Sequence, residues 1–142
     1  MKKNFSLLML LCSLLLFAQD KSISFQKLPK ISQQFISTYF GTKNVSKVLF
    51  EQDYLKKEYE VILSNGTKIE FRGDGSWKEI KSKRTVIPTG YIPKKIVTYV
   101  YKGFPNAGIK KIEKKRFSYE VELTNGIDLK FDSKGNFLRF ED

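Results

Sequence analysis

Tyr59–Ile80 reads YEVILSNGTKIEFRGDGSWKEI, and Tyr119–Phe140 reads YEVELTNGIDLKFDSKGNFLRF. Over these 22 positions eight residues are identical: Tyr, Glu, Val, Leu, Asn, Gly, Phe and the later Gly. The offset between the phrases is 60 residues, whereas upstream it is 64, with Pro29 matching Pro93 and Phe40 matching Phe104. The first copy therefore carries four extra residues, which the alignment places near Gln52 to Lys57. A repeat of about sixty residues is a duplicated supersecondary unit rather than a solenoid step.

Parity decides the turn inside each phrase. A two-residue Asn65-Gly66 loop would oppose Val61 to Glu70 and divide the apolar residues between both faces of the ribbon. A three-residue loop, Ser64-Asn65-Gly66, opposes Leu63 to Thr67, Val61 to Ile69 and Tyr59 to Phe71, and gathers them on one face. The second copy follows the same rule: Leu123 with Ile127, Val121 with Leu129, Tyr119 with Phe131. A further turn at Gly73-Asp74-Gly75 leads to a strand holding Trp77. Its counterpart, Ser133-Lys134-Gly135, leads to Phe137. Trp77 shares the parity of Phe71, which assigns it to the core rather than to an exposed binding site.

Upstream of each phrase the apolar spacing changes from two to about 3.6. Leu28, Ile31, Phe35, Ile36, Tyr39 and Phe40 predict a helix opened by Pro29 and stopped by Gly41. Ile92, Ile96, Tyr99 and Val100 predict a second, opened by Pro93 and closed by Gly103, with Pro105 beyond. Lys47 to Glu51 and Lys110 to Arg116 are rich in strand formers. The expected fold is α+β: two tandem helix-plus-four-strand repeats, about 25–86 and 87–142, forming one antiparallel sheet of about eight strands with helices on one face. Edge-to-edge union of the copies removes one exposed edge from each.

The other face is left polar. It is predicted to carry Glu60, Ile62, Lys68, Glu70, Arg72 and Lys78 from the first copy, and Glu120, Glu122, Asp128 and Lys130 from the second. These ten residues are the candidate partner-binding surface. A wide twisted sheet also curves, which would make this face a platform.

The 142-residue chain opens with a leader pattern. Lys2 and Lys3 form a positive start, Leu7 to Phe17 an apolar run, and Ala18 a small residue for cleavage: a secretory signal peptide over 1–18. The run is shorter than a membrane span. Cys12 follows Leu11, where lipid attachment wants a small residue, so it belongs to the apolar run. The mature chain, 19–142, is expected as one domain. Loss of Lys2 and Lys3 lowers the net charge from +11 to +9. Cys12 is the sole cysteine, so no disulfide can form within the mature chain. Ten Phe, seven Tyr and Trp77 must supply the core.

Composition narrows the chemistry. With no histidine, a Ser-His-Asp triad and histidine metal sites are excluded. Without a mature cysteine, so are a thiol nucleophile and a thiolate zinc site. Glu120, Glu122 and Asp128 can be read as acid–base carboxylates, but cross-strand pairing with lysine explains them better. Gly73-Asp74-Gly75 lacks the spaced ligands of a calcium loop and the helix of a phosphate loop, and reads as a tight turn. No cofactor, metal or enzymatic activity is expected.

Leu28-Pro29 before a helix, Tyr59-Glu60-Val61, Asn65-Gly66, Ile69-Glu70-Phe71 and Gly75-Ser76-Trp77 form a set. Ile92-Pro93, Tyr119-Glu120-Val121, Asn125-Gly126, Phe131 and Gly135 repeat it. Together with the leader, this pattern resembles the PepSY-like family of secreted bacterial proteins, whose fold is similar to β-lactamase inhibitory protein. The resemblance implies a periplasmic or extracellular binding module, since inhibitor relatives grip an enzyme with a concave sheet and protruding loops. PepSY domains are commonly proposed to restrain peptidases. No inhibitory loop of those relatives can be matched here, and shared fold does not carry function with it. The expected partner is a protein or peptide of the cell envelope.

The basic balance suggests an alternative. Lys81-Ser82-Lys83-Arg84, Lys94-Lys95, Lys110-Lys111 and Lys114-Lys115-Arg116 would attract anionic envelope polymers or lipid headgroups if they shared a side. Nucleic acid is not expected for an exported chain.

Overall fold

A computed structural model describes residues 19–141, so the leader lies outside the described residues. Nine strands and two helices follow in the order β1 (Gln19–Ser22), α1 (Lys30–Tyr39), β2 (Val45–Gln52), β3 (Lys57–Leu63), β4 (Lys68–Arg72), β5 (Trp77–Lys81), α2 (Lys94–Gly103), β6 (Ile109–Lys114), β7 (Ser118–Leu123), β8 (Asp128–Asp132) and β9 (Phe137–Glu141). The fold is α+β. All nine strands join one antiparallel sheet in plain sequence order, β1 to β9. One strand was not expected: β1 lays Gln19, Asp20, Lys21 and Ser22 against Gln52, Glu51, Phe50 and Leu49. Its four polar residues carry no apolar alternation, and ladder pairing alone places them.

The three-residue turns are present in both phrases. Leu63 N–H donates to Thr67 O at 2.9 Å, and Leu123 N–H to Ile127 O at 2.9 Å. Tyr59 opposes Phe71, Val61 opposes Ile69, Tyr119 opposes Phe131 and Val121 opposes Leu129. Gly66 takes φ +85°, the left-handed conformation that a loop of this length demands, and Asn65 Oδ1 accepts Thr67 N–H. The extra length expected near Gln52 to Lys57 goes into a longer β2–β3 ladder, which ends in a turn at 53–56.

Both helices begin directly after proline and cover the same side of the sheet. On α1, Ile36 is fully buried and Phe35 meets Phe71 edge-on at 5.7 Å. On α2, Ile96 and Val100 are buried, and Tyr99 lies 5.5 Å from Phe131 and stacks on Phe137 at 4.6 Å. Val61, Ile69, Phe71, Ile80, Ile112, Val121, Leu129 and Phe131 are among the sheet residues that build one continuous core. Trp77 packs against that core as expected, between Phe35, Tyr91 and Tyr119. Tyr91 arrives from the segment before α2. Burial holds its hydroxyl proton well beyond the usual phenol range.

The seam between β5 and β6 unites the two halves. Ile80 opposes Ile112, flanked by Glu79 opposite Glu113 and Lys81 opposite Lys111. The ladder runs on through Ser82 N–H to Lys110 O at 2.9 Å.

Candidate functional site

The strands that bury Val61, Ile69 and Phe71 under the helices turn the alternate residues outward. Glu60, Ile62, Lys68, Glu70 and Arg72 therefore lie on the uncovered face, as do Glu120, Glu122, Asp128 and Lys130. Lys78 sits at a bulge where β5 carries one residue more than β4, so Lys78 and Glu79 both reach this face.

Register brings together more than alternation within single strands could show. Glu60 opposes Glu70, Glu70 opposes Glu79, Glu79 opposes Glu113 and Glu113 opposes Glu120. Five glutamates thus stand in one row across β3 to β7. Glu51 and Glu58 oppose each other beside it, and Glu122 and Glu141 flank Asp128. All nine glutamates of the sequence lie on this face, and none lies in a helix or turn.

Like charges directly opposed across a ladder repel, and lysines between the rows answer them. Lys78 Nζ reaches Glu58 Oε1 at 2.8 Å and Glu70 Oε2 at 4.0 Å, and Lys68 reaches Glu60 at 3.7 Å. Lys111 meets Glu79 at 3.4 Å, Lys110 meets Glu122 at 3.2 Å and Lys115 meets Glu120 at 2.9 Å. Lys130 stands opposite Glu120 in register, yet its amine lies by Glu141, at 3.8 Å.

The compensation is uneven. Partial burial, then Glu79, pushes the Glu70 carboxyl up despite the pull of Lys78. Burial and Glu122 likewise raise Asp128, against the pull of Lys111. Burial also works to raise Glu58, but the hydrogen bond and charge of Lys78, together with Lys56, hold it below the usual carboxylate range. Arg72 is engaged differently from the rest. Its guanidinium donates to Trp77 O at 2.8 Å and to Lys114 O, satisfying carbonyls at the bulge and across the seam. It clamps the sheet and has little left to offer a partner.

The basic clusters do not share a side. Lys110 and Lys111 pair with glutamates on the sheet face, whereas Lys94 and Lys95 open α2 on the opposite side. Among the described residues, no three acidic, histidine or cysteine side chains converge where a metal could sit. No helix among them is long and apolar enough to cross a membrane.

The family model described as "Putative beta-lactamase-inhibitor-like, PepSY-like" matches residues 57–139. The chain belongs to this PepSY-like family. It is 41% identical to a solved Bacteroides thetaiotaomicron protein described as a "putative calcium-regulated periplasmic protein", with TM-score 0.83 over 87% of this chain and 97% of that one. A DUF2874-family periplasmic protein of Bacteroides vulgatus is 37% identical, with TM-score 0.81 over 87% and 98%. A periplasmic protein of unknown function from the same species is 32% identical, with TM-score 0.81 over 87% and 100%. Among curated proteins no match is found.

Proposed function

We propose that this chain is a non-enzymatic, periplasmic binding module that restrains or regulates a protein or peptide partner through the uncovered sheet face. One observation carries the reading: every glutamate in the sequence stands on a single face, in registered rows that no helix covers. Opposed glutamates cost stability that a merely soluble surface would not need to lose. A partner carrying lysine or arginine in an extended segment would recover that cost on docking. The periplasmic descriptions of three solved relatives support the location, and the leader pattern agrees with it. The same reading takes the sheet as two copies of one helix-and-four-strand unit, supported by the matching registers of Tyr59–Phe71 and Tyr119–Phe131. Joining two copies doubles the width of the face.

Affinity capture from envelope extract at two salt concentrations tests the proposal. Glu120→Lys with Glu122→Lys should weaken capture of the partner at least about tenfold, since several charge contacts would reverse sign. Lys102→Glu, on α2, should leave it unchanged. Capture indifferent to the sheet-face reversals removes the face as the docking surface. The excess positive charge on helices and turns favours a second reading, attachment to anionic envelope polymers. That binding would fall steeply with salt and would weaken with Lys102→Glu instead.

A further inference from the structure

β9 ends the sheet, and among the described residues nothing pairs with its outer side. The β7–β8 turn sets which backbone groups point there. Leu123 N–H bonds Ile127 O, so by antiparallel alternation Leu129 directs its groups to β7 and Lys130 directs its own to β9. Arg139 and Glu141 answer Lys130 and Asp128. Phe140, between them, turns its N–H and C=O out over the open edge. The residue is 58% exposed.

The same geometry exists in the middle of the sheet, where it is filled. Ile80 faces Ile69 on β4 as Phe140 faces Leu129 on β8, and the outer side of Ile80 receives Ile112 of β6. An open edge centred on an exposed apolar residue is a template for another strand. The residues around Phe140 say which one. Arg139-Phe140-Glu141, reversed and laid against itself, sets Arg139 opposite Glu141 twice and Phe140 opposite Phe140.

We propose that this chain forms a two-fold symmetric dimer by antiparallel pairing of β9 with β9 of a second copy, centred on Phe140. The two Phe140 residues exchange backbone hydrogen bonds and bring their rings together on the helix side. Two Arg139–Glu141 ion pairs form on the outer face. Glu141 Oε1 is screened from solvent, 3.2 Å from Arg139 Nη2 and 3.8 Å from Lys130 Nζ, yet it accepts no hydrogen bond from either. Arg139 of the second copy brings a further donor to this carboxylate, whose side chain is partly exposed. The opposite edge, β1, competes poorly: its residues are all polar, and β1-to-β9 union would extend without closing. The shared strand is short, so the dimer belongs to the weak, concentration-dependent class. This inference stands apart from the partner proposed for the sheet face and can fail without it.

Sedimentation velocity across a concentration series at low salt tests it. The wild type should pass from monomer to dimer. Arg139→Glu opposes two pairs of glutamates, and Glu141→Arg opposes two pairs of arginines. Each alone should associate about tenfold more weakly. An equimolar mixture of these two variants should recover the dimer, because every opposed pair is then of unlike sign. Circular dichroism matching the wild type confirms that both variants fold. A wild type that stays monomeric at its solubility limit, a dimer indifferent to both variants, a mixture that stays monomeric, or open-ended oligomers would overturn the proposal.

Discussion

At Gly75 the β4–β5 turn touches α1 with no room for a side chain. A Cβ there would stand 2.7 Å from Pro29 Cβ and 2.8 Å from Ile31 Cγ1, on a backbone at φ +90°. Ser32 Oγ, fully buried, donates to Gly75 O at 2.7 Å and fixes the contact. Gly126 has a similar φ, +87°, with nothing within 4 Å of the same position. The two glycines separate backbone strain from packing. Gly126→Ala should cost about 1–2 kcal/mol, the penalty of a left-handed residue with a Cβ. Gly75→Ala should cost clearly more, because the helix must also retreat. Ser32→Ala should cost about 1–3 kcal/mol by leaving a buried carbonyl unpaired. Urea denaturation curves of the three variants check the order. In the second half Ile96 stands where Ser32 stands in the first, and its Cγ1 lies 3.7 Å from a Cβ built on Gly135. There the contact at the turn glycine is apolar, and beside it Lys95 Nζ donates to Asn136 Oδ1 at 3.1 Å.

At the scale of elements, the glutamate row ties stability to pH. The folded carboxyl of Glu70 is raised, so the native state binds its proton more tightly than the unfolded chain does. Ionised Glu70 therefore subtracts stability at neutral pH, and the loss is relieved as pH falls through its raised value. Glu70→Gln should stabilise the neutral protein by roughly 0.2–1 kcal/mol, a gain that fades toward about pH 4. Glu58 is lowered, so its contribution is present above the unfolded value and disappears as pH falls through the folded one. Glu58→Gln should destabilise at neutral pH and approach the wild type in acid. Chemical denaturation at both pH values decides between the signs. Within each ribbon this face was legible in the sequence, because parity around Ser64-Asn65-Gly66 fixes which residues are covered. Glu79 and Glu113 were not. The bulge at Lys78 moves the alternation of β5 by one residue, and the pairing of Glu79 with Glu113 depends on the seam, which no local pattern specifies. β1 was hidden for a related reason: backbone pairing with β2, rather than an apolar face, holds it.

For the whole molecule the seam decides whether the halves behave as one. Ile80 and Ile112 belong to a single core, and the Arg72 guanidinium spans from Trp77 O on β5 to Lys114 O on β6. Unfolding followed by Trp77 fluorescence and by far-ultraviolet circular dichroism should coincide in one transition. Arg72→Ala should lower stability by about 1.5–3 kcal/mol, the range for hydrogen bonds to a charged group, without splitting that transition. The α+β class and the antiparallel strands were readable from the sequence. The union was an expectation about exposed edges, and its register appears only in the assembled sheet. The order of the strands has a consequence in time. Each strand lies beside its predecessor in the chain, so a chain emerging N-terminus first never has to hold an early strand open for a late one. Ribbon after ribbon can close as it appears, after a first pause while α1 passes between β1 and β2, and with a second while α2 and its approach pass by. During the second pause the raw margin is β5, and its Ile80 lies bare until Ile112 arrives to shield it.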